Sequence, residues 1–113
     1  MKIAVSSMDK TIDGNVFDVF GRCPYFVIIE IKKGEVKKTE VIKNESTDQM
    51  SGAGMSAAQL MAEKNVNAVI TGNVGPRALD VLKQFNIKIY SGNGAIKEVL
   101  QKYVDEKLKE IKR

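Results

Sequence analysis

Three glycine-rich segments carry the chain's clearest hint of chemistry: Ser51-Gly52-Ala53-Gly54, Gly72-Asn73-Val74-Gly75 and Ser91-Gly92-Asn93-Gly94. Each follows an extended stretch and opens a run of helical periodicity. A helix N-terminus offers unpaired backbone N–H groups and the positive end of its dipole, and glycine lets a ligand approach that backbone closely. Glycine is also common wherever a strand turns into a helix, so one such loop alone says little. Three of them on one edge of a sheet point to a ligand cradle. The arginines add to this. One of the three is the C-terminal residue, and the other two stand beside glycines, in Phe20-Gly21-Arg22 and Gly75-Pro76-Arg77, while fifteen lysines lie elsewhere. A guanidinium presents a planar fork of donors that suits an oxyanion. The alternative is a pair of structural salt bridges within the loops.

The absences narrow the chemistry further. With no histidine, the chain lacks the commonest general base, transition-metal ligand and triad partner. Any metal must therefore use oxygen ligands, Cys23, or a preformed cofactor that brings its own ligands. Cys23, between Arg22 and Pro24, reads either as a small buried hydrophobe or as a thiolate favoured by Arg22 and open to a soft metal or cluster. Asp9, Asp13 and Asp18 share the first loop, but their spacing fits no calcium-binding loop. A two-metal nuclease needs carboxylates projecting from the sheet, and the stretches 3–6 and 66–71 contain none. There is also no phosphate-binding G-x-x-x-x-G-K-[ST] motif. Catalysis is not expected.

Elements that position these residues are legible from periodicity. Short strands are predicted over 2–6, 25–31, 36–42, 66–71 and 87–90. In the second, Phe26 and Ile28 face one way, and Val27, Ile29 and Ile31 the other, which places it inside a sheet. Lys32-Lys33-Gly34-Glu35 makes a hairpin turn, and the lysine-rich strand after it belongs at an edge. Helices are predicted over 55–64, 76–85 and 95–111, with Pro76 in a first turn, Asn86 as a stop, and Ala78, Leu82 and Phe85 along the stripe of the second. Right-handed crossovers then give an α/β fold: one domain over residues 1–113, a mixed five-stranded sheet in the order 3-2-1-4-5, and helices on both faces. Ligands gather at the carboxyl ends of parallel strands, where the second and third glycine loops fall.

The net charge of +4 does not indicate nucleic acid, because the lysines are interspersed with acids. No apolar run approaches the ~20 residues needed to cross a bilayer, and nothing resembles a targeting segment. A cytoplasmic protein without membrane partners is expected.

The run Phe20-Gly21-Arg22-Cys23-Pro24-Tyr25-Phe26, then Asn44, then Gly52-Ala53-Gly54 with Ala58-Gln59-Leu60, resembles the dinitrogenase iron–molybdenum cofactor biosynthesis family. So does Ala68-Val69-Ile70 followed by Gly72-Asn73-Val74-Gly75-Pro76 and Ala78, and the likeness runs in order over about residues 1–103. The resemblance implies a ribonuclease H-like α/β domain. It implies binding or carriage of an anionic metal–sulfur cofactor, the iron–molybdenum cofactor or an iron–sulfur precursor, with cofactor-assembly proteins as partners. The residues it implies for binding lie in 19–23, 51–54 and 72–77: Gly21, Arg22, Cys23, Ser51, Gly52, Gly54, Gly72, Asn73, Gly75 and Arg77, and Cys23 is the one soft side chain nearby that could ligate a metal. Cofactor-binding members often carry a histidine just before the Phe-Gly pair, where this chain has Val19. That departure supports an alternative, a small interaction or regulatory module that keeps the fold without ligating a cofactor.

Overall fold

The computed structural model describes residues 1–45 and 52–112. Its elements run β1 (Lys2–Ser7), β2 (Tyr25–Lys32), β3 (Glu35–Lys43), α1 (Ala53–Glu63), β4 (Ala68–Thr71), α2 (Pro76–Gln84), β5 (Lys88–Ser91), α3 (Ile96–Val104) and β6 (Lys109–Glu110). The strands form one mixed sheet in the order β3-β2-β1-β4-β5-β6. β1, β4 and β5 are parallel, and β2, β3 and β6 pair antiparallel with their neighbours.

Side-chain alternation divides the core between the two faces of the sheet. Ala4, Phe26, Ile28, Val69 and Ile89 pack with Ala57, Ala58 and Met61 of α1 and with Ala78, Leu79 and Leu82 of α2. Ile3, Val5, Val27, Ile29, Ala68 and Ile70 pack with Ile96, Val99 and Leu100 of α3. β2 is buried on both sides, as its pattern predicts, and the charged β3 lies at an edge. Lys33 and Gly34 both have positive φ, 54° and 78°, the backbone of a two-residue hairpin turn whose twist matches its strands.

The three helices of the described residues end alike. Asn65, Asn86 and Glu106 adopt the left-handed conformation, and the next residue's N–H bonds back to Met61, Leu82 and Lys102 respectively. Asparagine tolerates that conformation, so these C-termini are satisfied without glycine. Phe85 caps the C-terminus of α2 and stays 51% exposed, instead of completing the helix stripe.

The chain's last segment corrects the expected architecture. The helix predicted over 95–111 stops at Val104, and residues 109–110 add a sixth strand beside β5. Nothing in 105–111 breaks a helix, but β5 would otherwise leave an open edge. There the Ile111 N–H donates to the Ile89 carbonyl at 2.7 Å, and Ile111 packs against the core. A sheet edge with unmet hydrogen bonds outweighs the local helical preference. Among the described residues, no helix is long and apolar enough to cross a membrane.

Candidate functional site

α1 and α2 share one face of the sheet, and their N-termini meet at the carboxyl end of β4. Neither end has a side-chain cap or an acidic residue in its first turn. Gly52 caps α1 in the left-handed conformation (φ 77°), and Gly75 caps α2 in an extended one. The first N–H groups of each helix have no intrahelical acceptor, and no first-turn carboxylate offsets the positive dipole end.

A third strand of chain completes the site. Between β1 and β2 the backbone starts on the α3 side, where Val16 packs, and crosses to the α1/α2 side, where Phe17 and Phe20 pack. It is clamped along its length. The Phe17 N–H donates to the Ser6 carbonyl (2.8 Å), and the buried Ser6 hydroxyl donates to the Phe17 carbonyl (2.7 Å) and joins the Thr71 hydroxyl (2.9 Å). The Asn73 N–H donates to the Asp18 carbonyl (2.6 Å), and the Phe20 N–H to the Asn73 carbonyl (2.9 Å). The buried Asn44 side chain donates to the carbonyls of Gly21 (3.0 Å) and Cys23 (2.8 Å). Gly21 has φ 94°, and a Cβ there would lie 2.7 Å from the Gly54 Cα, so the crossing segment rests directly on the first turn of α1.

These three pieces enclose a cleft of about 350 Å³. Val19, Phe20 and Arg22 come from the crossing segment, Gly52, Gly54 and Met55 from α1, and Gly75, Pro76, Arg77 and Ala78 from α2. Among the described residues its charged lining is two guanidiniums, both on exposed residues, without a carboxylate. The walls are otherwise apolar or glycine. A Cβ on Gly75 would meet nothing within 4 Å, so that backbone faces open space.

The expected site residues separate into groups. Arg22, Gly52, Gly54, Gly75 and Arg77 meet in the cleft. Gly21 supports it from behind. Gly72 and Asn73 lie one step back: a Cβ on Gly72 would run into Asp18, and Asn73 holds the crossing segment. Ser51 lies outside the described residues. Cys23 does not reach the cleft. It is fully buried in the core with Phe20 and Phe26. Desolvation pushes its thiol up to about 11, overriding the hydrogen bonds that favour the thiolate. The expected lowering by Arg22 does not occur, because the exposed guanidinium lies on the cleft side and the thiol on the core side of the same strand of chain. The third glycine loop is also elsewhere. A Cβ on Gly92 would press on Ile70 (2.9 Å) and Val99 (3.1 Å), and the Gly94 carbonyl accepts the Val16 N–H, all on the α3 side. The sequence reading did not name Met55 and Ala78 as cleft walls, and it placed Val19, Phe20 and Pro76 only within the site segments 19–23 and 72–77. Met55 and Ala78 follow from helix register, as third residues of their helices. Asn44, distant in sequence, carries no local signal of its clamp.

Among the described residues, no group of three His, Cys, Asp or Glu side chains could hold a metal ion. This donor set does not fit a cluster that needs protein ligands. It does fit an anionic cluster that carries its own ligands, held by N–H groups and guanidiniums.

The sequence model of the dinitrogenase iron–molybdenum cofactor family matches residues 1–106. An uncharacterised protein of Methanocaldococcus jannaschii is 37% identical over 113 residues, covering 98% of this chain and 96% of that protein. The apo form of the orange protein from Desulfovibrio gigas has a similar structure, with a TM-score of 0.90 and 28% identity over 97% of this chain and 92% of that one. A Thermotoga protein assigned to the DUF35 family superposes with a TM-score of 0.81 and 29% identity, over 99% and 97% of the two chains.

Proposed function

The chain belongs to the dinitrogenase iron–molybdenum cofactor family, and from that premise we propose that it is a non-enzymatic binding or carrier module for an anionic metal–sulfur cofactor. The cargo is the iron–molybdenum cofactor or an iron–sulfur precursor. The observation that carries this reading is the convergence, on one cleft, of two helix N-termini without a side-chain N-cap and two arginines, with no carboxylate among the described lining residues. The first-turn N–H groups of α1 and α2 would hold the cluster's negative charge, as anions are held at helix N-termini. Arg22 and Arg77 would close on it from either side. Val19, Phe20 and Met55 supply apolar walls that limit competition from water. With no His, Cys, Asp or Glu among its described lining residues, the cleft would hold the cargo chiefly through hydrogen bonds and charge, which suits a carrier that must release it. We also read the 3-2-1-4-5 part of the sheet as ribonuclease H-like, with β6 added outside β5.

Anaerobic incubation with iron–molybdenum cofactor or iron–sulfur clusters, followed by gel filtration and metal and sulfide analysis, tests the proposal. Stoichiometric retention with visible absorbance is expected for the native chain and for Cys23→Ala, and loss of retention for Arg22→Ala/Arg77→Ala. No retention by the native chain, or retention indifferent to the arginines, would overturn it. A second reading rests on Val19, which is 39% exposed on the cleft wall: an interaction or regulatory module without a cofactor. Its mark is a partner complex that survives substitution of Gly54 and Gly75.

A further inference from the structure

The chain leaves β4 toward α2 on one face of the sheet and leaves β5 toward α3 on the other. Opposite departures from adjacent parallel strands open a gap at their carboxyl ends, where ligands of α/β sheets bind. The equivalent gap between β1 and β4 is filled, because the crossing segment bonds there to both the N–H and the carbonyl of Asn73. The gap between β4 and β5 is not filled. It is a crevice of about 540 Å³ between the Gly72–Val74 backbone, Ser91, and the stretch 109–112.

Its lining has a definite chemistry. Lys109 and Lys112 stand on one wall, and neither has an ion-pair partner among the described residues. Asn73 and Ser91 bring hydrogen-bonding side chains, and Val74 and Ile111 bring apolar surface. Glu110 is the single carboxylate among the described lining residues. The lysine wall is anchored, because β6 pairs with β5 and the Ile111 N–H holds the Ile89 carbonyl. This crevice shares no lining residue with the arginine cleft, which uses Gly75 onward of the same loop.

We propose that the crevice is a second ligand site, distinct from the cleft, for a small molecule carrying a compact oxyanionic group on a partly apolar body. The ammonium groups of Lys109 and Lys112 hold the oxyanion, Asn73 and Ser91 orient it, and Val74 and Ile111 cover the body.

Amide NMR titration of the full chain with inorganic phosphate, AMP and citrate tests this. Saturable shifts are expected at Asn73, Ser91 and residues 109–111, stronger for AMP or citrate than for phosphate and weakened by salt. Lys109→Gln/Lys112→Gln exchanges exposed side chains and should weaken binding about tenfold or more. Arg22→Ala/Arg77→Ala should leave it unchanged, so this site stands or falls separately from the cofactor cleft. A dominant AMP response identifies a phosphate ester as the ligand class, and a dominant citrate response a carboxylate. Absence of saturable shifts with all three probes, shifts confined to the cleft, or affinity indifferent to the lysine pair would overturn the proposal.

Discussion

Two loops of similar composition leave adjacent parallel strands and meet opposite ends. Gly72-Asn73-Val74-Gly75 follows β4, and Ser91-Gly92-Asn93-Gly94 follows β5. The first turns onto the face shared by α1, and its last glycine opens into the cleft. The second turns onto the α3 face, where Gly92 packs under Ile70 and Val99, and Gly94 bonds to Val16. In the second loop Gly92 serves close packing, whereas Gly75 at the end of the first faces open space, and the face on which the following helix lies decides between them.

The largest expected effect comes from Gly21, which belongs to the cleft by support alone. Alanine there would hold φ near 94° and press its Cβ on the Gly54 backbone, costing on the order of 3 kcal/mol or more. A urea midpoint should show the loss, along with weaker cargo retention. Unchanged stability would mean that the contact between the crossing segment and α1 is dispensable.

Next comes Cys23, on the core side of the segment that presents Arg22. Its folded thiol titrates near 11, against 9.0 for an ordinary cysteine. The native state therefore keeps its proton where the unfolded state has lost it, and stability falls as pH rises between those values. The full contribution is present below pH 9.0 and is lost by about 11, a change on the order of 2 kcal/mol. Comparing native and Cys23→Ala unfolding curves across that range isolates the effect. Rapid alkylation of the folded protein at neutral pH would contradict the buried placement.

The paired substitutions Gly92→Ala and Gly75→Ala bear directly on the two loops. The Gly92 Cβ would lie 2.9 Å from Ile70, and overpacking of that kind costs about 1–2 kcal/mol. Cargo retention should persist. Gly75→Ala meets no neighbour, so its stability change should stay within about 0.5 kcal/mol, while its methyl intrudes on the cleft and weakens retention. The reverse pattern, retention lost with Gly92→Ala in a folded protein, would place the third loop back in the site.

Much of this was readable from the chain. The nearly unbroken apolar run from Phe26 to Ile31 announced a strand buried on both faces, and Lys32-Lys33-Gly34-Glu35 announced its turn. Asn86 marked a helix end, and glycines beside Arg22 and Arg77 marked the cleft. Less legible was the stretch 105–111, whose local preference is helical and whose strand depends on an edge supplied by β5. Arg22 and Cys23 are neighbours in sequence, yet one faces the cleft and the other the core, which no spacing rule states.

The sequence by itself determined most of the local geometry: which segments extend or coil, 105–111 excepted, and where they turn. Those depend on contacts within a few residues. Only the tertiary structure decided which glycine loops share a face, that Cys23 is sealed from Arg22's charge, and that a sixth strand closes the sheet. Each of those outcomes is set by burial and hydrogen bonding between residues far apart in the chain, where local preference is outweighed.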